Sequence, residues 1–178
     1  MTLSTLSDTQ TLRAQARLNI DQGAVTASYT ADRSTVLKLL NEALATELVC
    51  VMRYRSHYFL AQGINSKAIA EEFLAHSNEE LMHADQLAAR IVQLGGEPDF
   101  SPDTLTARSH AEFVKCTSLS EMIKENLVAE RIAIDSYREF IQYLGDRDST
   151  TSLVLKQILS VEEEHADELS DLLNNLNG

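Results

Sequence analysis

Apolar residues recur at steps of three and four positions in four long stretches of the chain, a spacing typical of amphipathic helices. The stretches run from about residue 32 to 62, from 65 or 66 to 95, from 118 to 145 and from 149 to 176. Each predicts a helix about 40 Å long. Glycines end the first three, at Gly63, Gly95-Gly96 and Gly145. The inward face of the last helix is predicted to continue to Leu176.

Suitable N-cap residues support two of these helix starts. Asn65 and Ser66 can each cap the second helix, because short polar side chains accept hydrogen bonds from the first free backbone N–H groups. Ser118 precedes Glu121 by three positions, which fits a capping box at the start of the third helix.

The links between the helices predict how they are arranged. The first and last links are short, so each joins an antiparallel hairpin. The middle link, from Gly95 to about Ser118, carries both prolines of the chain and is long enough to cross a bundle. We therefore predict an all-α fold: a four-helix bundle of two antiparallel hairpins joined by one long crossover.

Residues 1–31 read as an N-terminal arm, distinct from a bundle domain at 32–178. The arm is rich in Thr, Ser and Gln, and a short helix is predicted over Leu12–Ile20. It contains no lysine, and its two arginines are offset by Asp8 and Asp21. A nucleic-acid-binding role for the arm is therefore rejected.

Each predicted helix carries a glutamate in the middle of its apolar face. The four are Glu47, Glu80, Glu130 and Glu162. A buried carboxylate without a partner is strongly unfavourable, and four close together would also repel one another. No lysine or arginine is expected on the central turns to pair with them. A multivalent cation that uses the carboxylates as ligands resolves this conflict.

Two histidines extend the candidate metal site. His83 follows Glu80 by three positions and His165 follows Glu162 by three, so each pair shares one helix face. Four glutamates and two histidines can hold two metal ions. Each ion would bind one histidine, one terminal glutamate and the two bridging glutamates, as in di-iron or di-manganese bundles. The alternative is a metal-free structural bundle, because a single Glu-x-x-His pair often arises by chance.

The two hairpins repeat one pattern, which strengthens the metal interpretation. The first helix of each hairpin carries a lone glutamate, Glu47 or Glu130, with no histidine three positions after it. This lone glutamate is 33 positions from the glutamate of the Glu-x-x-His motif in the first hairpin and 32 positions in the second. A tyrosine, Tyr54 or Tyr137, follows the lone glutamate by seven positions in both. Two copies of one half-site are what a symmetric dinuclear centre requires.

Composition limits the partners and the compartment. The 27 Asp and Glu against 15 Lys and Arg give a formal charge of -12, which repels phosphate backbones and anionic membrane surfaces. The sequence shows neither a signal peptide nor an apolar run long enough to cross a membrane. Cys50 and Cys116 form no zinc-type pair. We predict a cytoplasmic protein with no nucleic-acid or membrane partner.

Over about residues 33–176 these motifs resemble the ferritin-like superfamily, and within it the bacterioferritins. The segment EELMHAD at 79–85 is similar to their second-helix motif, and VEEEH at 161–165 to its fourth-helix partner. Glu47 with Tyr54 matches the first helix of these proteins, and Glu130 the third.

The resemblance implies a di-iron ferroxidase centre, in which Glu80 and Glu162 bridge the irons and Glu47 and Glu130 are terminal ligands. Bacterioferritins bind haem through a methionine directly after the second-helix glutamate, where this chain has Leu81. Met82 lies about 100° further around the helix. Haem is therefore not expected.

The C-terminus also departs from the bacterioferritin pattern. Only 13 residues follow His165, so the chain stops where the short fifth helix of a bacterioferritin would begin. This combination looks more like a Dps-like miniferritin with a bacterioferritin-type centre. The resemblance implies a homo-oligomeric shell, with twelve subunits favoured over twenty-four.

The predicted activity is the oxidation of Fe(II) to Fe(III) by O₂ or H₂O₂, in the service of iron storage and detoxification. The alternatives are a manganese catalase-like enzyme, a peroxidase or oxidase on the same bundle, or a metal-free bundle. A rubrerythrin-like peroxidase would usually carry an added four-cysteine iron site, which two cysteines cannot supply.

Four further residues lie close to the candidate ligands along the chain. His76 is expected to be a core histidine, with an accessory iron ligand as the alternative. Cys50 is expected to be a small apolar core residue, and Tyr54 to bond a ligand carboxylate. Glu79 is expected to face outward, with a role at an outer ion site as the alternative.

Overall fold

The structure is a computed structural model that describes residues 6–61 and 66–177. These residues form helices and no strands, which confirms the all-α prediction. The helices are α1 (Thr9–Gln15), α2 (Arg33–Leu60), α3 (Ser66–Gln93), α4 (Pro102–Arg108), α5 (Leu119–Leu144) and α6 (Ser149–Asn177). None of the described helices is long and apolar enough to cross a membrane.

Local side-chain chemistry sets the helix ends. Asp32 caps α2, because its carboxylate accepts hydrogen bonds from the backbone N–H groups of Ser34 and Thr35 at 3.1 and 3.4 Å. Ser118 caps α5 as predicted, but the Glu121 carboxylate bonds Thr117 rather than the cap residue, so the capping box is only half formed. Gly145 ends α5 with a φ of 51°. The predicted Gly63 stop and Asn65 cap lie outside the described residues.

Helix α2 packs along α3 and α5 along α6, and a long crossover joins the two hairpins, as predicted. The crossover contains the short helix α4, which the sequence analysis did not predict and which begins at Pro102. Asn41 of α2 holds the crossover, because its side chain bonds the backbone of Glu97 and Asp99 at 3.2 and 2.7 Å. Arg108 donates to the Asn41 carbonyl oxygen at 2.9 Å.

The bundle core consists of two apolar clusters separated by a polar layer. One cluster surrounds Leu40, Ile91 and Leu144, and the other surrounds Phe73 and Leu169. The four mid-helix glutamates lie in the layer between them. The second cluster ends at Leu172 and Leu173, so the prediction that Leu176 faces inward is wrong: this side chain is 37% exposed.

The arm differs from its prediction. Its helix is α1, which begins before the predicted Leu12 because the Asp8 carboxylate caps the N–H groups of Gln10 and Thr11. A separate 3-10 turn at Ile20–Gln22 follows. The arm also reaches the bundle, since the Tyr29 hydroxyl donates to the Asp148 carboxylate at 2.9 Å. The division into an arm at 1–31 and a bundle at 32–178 stays a prediction.

A buried ion pair that the sequence analysis missed joins α3 to the start of α6. The Arg90 guanidinium donates to Asp148 and to the Thr151 hydroxyl, both at 2.8 Å. Asp148 in turn accepts the Thr151 backbone N–H at 2.9 Å, which caps the first turn of α6. Because Arg90 and Asp148 are 58 positions apart in the sequence, no local spacing predicts this pair.

Candidate metal centre

The structure brings all six predicted site residues together in the polar layer of the bundle. Helix α2 supplies one glutamate, α5 another, and α3 and α6 each supply a Glu-x-x-His pair from one face. The six side chains are Glu47, Glu80, His83, Glu130, Glu162 and His165, and each residue is at most 3% exposed. The spacing of three positions produces this convergence, because residues three apart on a helix point the same way.

The six residues form two overlapping groups of ligand atoms. One group contains Glu47 and His83, the other contains Glu130 and His165, and Glu80 and Glu162 belong to both. Within each group the ligand atoms lie within 4.8 Å of one another. The geometry therefore offers two adjacent positions for metal ions with two carboxylates shared between them.

A tyrosine from each hairpin bonds the lone glutamate of the other hairpin. The Tyr54 hydroxyl donates to Glu130, and the Tyr137 hydroxyl donates to Glu47. The predicted hydrogen bond from Tyr54 to a candidate ligand carboxylate is confirmed. The reciprocal pairs reproduce the repeat seen in the sequence, and each leaves the other carboxylate oxygen free to face the centre.

Burial and mutual repulsion perturb the carboxylates of the metal-free centre. Burial and the nearby Glu80 carboxylate raise the pKa of Glu47 and Glu162 well above the usual value. Burial acts in the same direction on Glu80, but the nearby imidazoles of His165 and His83, whose Nδ1 atoms lie 3.6 and 3.3 Å from its oxygens, outweigh it and hold the Glu80 pKa below its usual range. The carboxylates of one centre therefore differ in their tendency to bind a proton.

The two histidines respond to the same carboxylates. Burial alone would lower the pKa of an imidazole, but the surrounding glutamate carboxylates outweigh it. They raise the pKa of His83 to about 10 and that of His165 to about 11. In the absence of metal, both rings therefore act as the cations that balance the buried carboxylates.

Several inward-facing atoms lack the hydrogen bonds that buried polar groups normally make. Among the described residues, Glu80 Oε1, Glu130 Oε2 and His165 Nδ1 have no hydrogen-bond partner. Unpartnered buried atoms of this kind are rare and costly in proteins. His165 Nδ1 lies 3.6 Å from Glu80 Oε1 and 3.8 Å from Glu130 Oε2, and oxygen and imidazole nitrogen are suitable ligands for iron and manganese. The donor set therefore fits a pair of such ions.

Glu79 lies at the edge of this centre, and its side chain is 41% exposed, as expected. Its carboxylate accepts a hydrogen bond from His165 Nε2 at 2.7 Å, a contact that the sequence analysis did not predict. The reason is tertiary: packing of α3 against α6 brings Glu79 beside the His165 ring. A carboxylate on the outer nitrogen fixes the ring and leaves Nδ1 to face the metal position.

Three other buried residues lie near the six candidate ligands. His76 is a buried histidine, as expected, and bonds the Tyr54 hydroxyl at 3.2 Å. Cys50 is a free, buried thiol in the apolar cluster. The sequence analysis missed Arg53, which is buried one turn further along α2 and donates to Asn126 and to the Glu112 carbonyl oxygen at 3.0 and 2.9 Å. This arginine ties the crossover to the bundle and forms no ion pair with the six residues.

A cleft of about 280 Å³ lies beside the centre. Tyr137 lines it together with Leu39, Ala43 and Phe140, but none of the six candidate ligands does. A small-molecule oxidase would need an open apolar pocket that reaches the metals. This cleft stops at the tyrosine, so it does not provide one.

Comparison with known proteins agrees with this architecture. The chain is 31% identical to a bacterioferritin of Mycobacterium avium over 139 residues, which are 78% of this chain and 83% of that protein. The solved structure of a bacterioferritin-related protein of Bacteroides fragilis, described as a dodecameric thioferritin, superposes with a TM-score of 0.79 at 30% identity. That match covers 82% of this chain and 88% of the other.

A second solved structure is a bacterioferritin of Rhodobacter capsulatus, described as having a metal-free dinuclear site and haem iron. It matches with a TM-score of 0.73 at 26% identity, over 81% of this chain and 86% of the other. The ferritin-like domain family matches residues 37–178, a range that contains all six candidate ligands. The chain therefore belongs to the ferritin-like family, and bacterioferritins are among its relatives.

Proposed function

We propose that this protein stores and detoxifies iron by oxidising Fe(II) to Fe(III) at a dinuclear ferroxidase centre within each subunit. The observation that carries the proposal is the pair of overlapping ligand groups with two shared carboxylates. The bacterioferritin relatives support it, because the Rhodobacter capsulatus protein is described as having a dinuclear site.

The proposed ligands are the six residues of the polar layer. Glu80 and Glu162 bridge the two ions, since both belong to both groups. Glu47 and His83 complete one position, and Glu130 and His165 complete the other. Fe(II) is the substrate, and manganese remains the alternative metal because the same oxygen and nitrogen ligands suit both.

The protein side chains favour a paired two-electron oxidation. Two Fe(II) ions held side by side together supply two electrons, which is the number that reduces O₂ to H₂O₂ or H₂O₂ to water. Hard carboxylate oxygens bind iron in both oxidation states. Tyr54 and Tyr137 hold the terminal carboxylates in place through their hydroxyl groups. Burial of the six residues keeps bulk water away from the reaction.

An anaerobic iron titration tests this function. Fe(II) is added to metal-free protein until binding saturates, and then O₂ or H₂O₂ is admitted while ferric absorbance is followed. Two irons per chain and fast oxidation are expected, and the faster of the two arms identifies the oxidant. Slow oxidation without saturable binding would contradict the proposal. Two irons that bind but do not turn over would indicate manganese or an organic substrate instead.

Metal affinity is expected to rise with pH. Because their pKa values are raised to about 10 and about 11, His83 and His165 hold protons at neutral pH, and an ion must displace those protons in order to bind. Zn(II), which is not oxidised, is titrated calorimetrically at about pH 6 and about pH 7.5 in buffers of different ionisation enthalpy. Proton release and tighter binding at the higher pH are expected. An affinity that does not change with pH would contradict the protonated ligand set.

The proposed assembly is a homo-oligomeric shell, with twelve subunits favoured over twenty-four. The dodecameric Bacteroides fragilis relative supports this number. Mass measurement in solution distinguishes a dodecamer, at twelve times 19.8 kDa, from a larger shell or a bare dimer. A dimer would favour a catalase or oxidase over storage.

The chain is proposed to bind no haem, although the Rhodobacter capsulatus relative contains haem iron. Leu81 stands where bacterioferritins have the haem methionine, and it has no ligand atom for iron. An absorption spectrum of purified protein checks this, because a Soret band after reconstitution with haem would contradict the assignment.

A further inference from the structure

A second cluster of metal-ligating side chains lies beside the dinuclear centre, between α3 and α6. Its members are Glu72, His76 and Glu168. His76 Nε2 lies 2.9 Å from Glu168 Oε2 and 3.5 Å from Glu72 Oε1. All three ligand atoms lie within 4.8 Å of one another, and none belongs to the six residues of the dinuclear centre.

The bundle itself does not require polar residues at these positions. His76 and Glu72 lie four and eight positions before Glu80, and the matching positions before Glu162 hold Ile158 and Val154. Ile158 is buried in the apolar core without any polar partner. The repeat therefore packs well with aliphatic side chains, and the cluster is an addition to one half-site only.

The hydrogen bonds of His76 direct its Nε2 toward the two carboxylates. The Tyr54 hydroxyl donates its proton to Glu130, so it accepts from His76 Nδ1 on one side of the ring. On the other side, Nε2 forms a hydrogen bond with Glu168 Oε2 at 2.9 Å and lies 3.5 Å from Glu72 Oε1. A cation bound to Nε2 and to both carboxylates would replace this hydrogen bond, as metal ions displace protons from their ligands.

The exposure of the three side chains suits a site that exchanges ions with solvent. The side chain of His76 is 1% exposed, whereas those of Glu72 and Glu168 are 38% and 43% exposed. An ion can therefore arrive with water ligands, meet the carboxylates first and then bind the buried imidazole. Two carboxylates also balance the charge of one divalent cation.

The cluster is in direct contact with the dinuclear centre. The His76 ring stacks on His165 with centroids 4.0 Å apart and an angle of 17° between the planes. Its other nitrogen reaches Glu130 through the Tyr54 hydroxyl. An ion bound at the cluster would therefore lie close to the ions of the centre, because its ligand His76 stacks directly on the candidate ligand His165.

We propose that Glu72, His76 and Glu168 form a third metal site, which binds one divalent cation between the solvent and the dinuclear centre. Its role, which rests on the proposed function, is to stage Fe(II) next to the centre. The binding itself depends only on the three side chains.

Zinc binding tests the site without any oxidation. The variant E72Q/E168Q removes both carboxylate charges but keeps the side-chain size and the ability to bond His76. The control E71Q/E164Q makes the same charge change at exposed glutamates of the same two helices that lie outside the cluster. Bound Zn(II) per chain is counted after gel filtration, and zinc is located by anomalous diffraction in crystals of the unmodified protein.

The unmodified protein and the control are expected to bind equal amounts of zinc, and E72Q/E168Q one ion fewer per chain. An anomalous peak about 2.0–2.2 Å from His76 Nε2 is expected in the crystals. Equal zinc counts in all three proteins, or an empty cluster beside filled dinuclear positions, would overturn the third site. Zinc at the cluster with none at the six core residues would overturn the proposed function and leave the third site standing.

Discussion

The substitution Glu80→Gln is expected to abolish tight binding of both metal ions and to slow ferroxidation by more than about 100-fold, since even the loss of an outer hydrogen-bond partner of a ligand typically costs about 10–100-fold. Glu80 belongs to both ligand groups, so one change weakens both positions. Its carboxylate also carries negative charge in the metal-free centre, because His165 and His83 hold its pKa low. Gln has nearly the same size but supplies no charge.

Comparison variants separate a shared ligand from a merely nearby one. Glu47→Gln and Glu130→Gln each alter a single group, so each variant is expected to keep one tightly bound ion. Glu163→Gln is the matched control, because Glu163 follows the second shared ligand but lies at the surface against Arg138. Binding is measured with Zn(II) and oxidation with Fe(II). If E80Q retained one ion at the affinity of the unmodified protein, Glu80 would not be a bridge.

The substitution Arg90→Met is expected to lower the free energy of unfolding by about 3 kcal/mol, because it leaves a buried carboxylate without its cation. The Arg90 and Asp148 side chains are 7% and 2% exposed, and their charged atoms are 2.8 Å apart. Asp148 keeps its bonds to Thr151 and Tyr29, but these neutral donors do not replace a guanidinium.

Arg138→Met provides the matched control for this stability prediction. Arg138 makes a shorter ion pair, at 2.6 Å to Glu163, but both side chains are about half exposed. Surface pairs of this kind contribute less than about 1 kcal/mol. Urea unfolding of the metal-free proteins is compared at one protein concentration, since assembly shifts apparent stability. An equal loss of unfolding free energy in the two variants would mean that the buried ion pair of Arg90 stabilises the fold no more than the exposed ion pair of Arg138.

Much of the fold could be predicted because its signals are local. The spacing of apolar residues identified four helices, Ser118 was identified as the N-cap of α5, and the lengths of the links identified two hairpins and a crossover. The errors have local causes too. Asp8 starts the arm helix early by capping it, and the last turn of α6 passes beyond the apolar cluster, which exposes Leu176.

The ligand set could be predicted because its pattern repeats along the chain. A buried carboxylate needs a partner wherever it lies, so four of them on four apolar faces already imply a cation. The hydrogen bond between Glu79 and His165 could not be predicted, because the sequence position of Glu79 gives no sign that α6 will pack against it. Arg90 and Asp148 escaped prediction for the same reason: 58 positions separate them in the sequence.

The sequence by itself therefore determined the helical class, the hairpin pairs, the six candidate ligands and their division into two half-sites, because each depends on spacing within one helix or on the length of one link. Only the tertiary structure decided which tyrosine bonds which glutamate, and that His76 meets Glu72 and Glu168. These are contacts between helices. They depend on how the helices turn and pack against one another, which no single segment of the chain specifies.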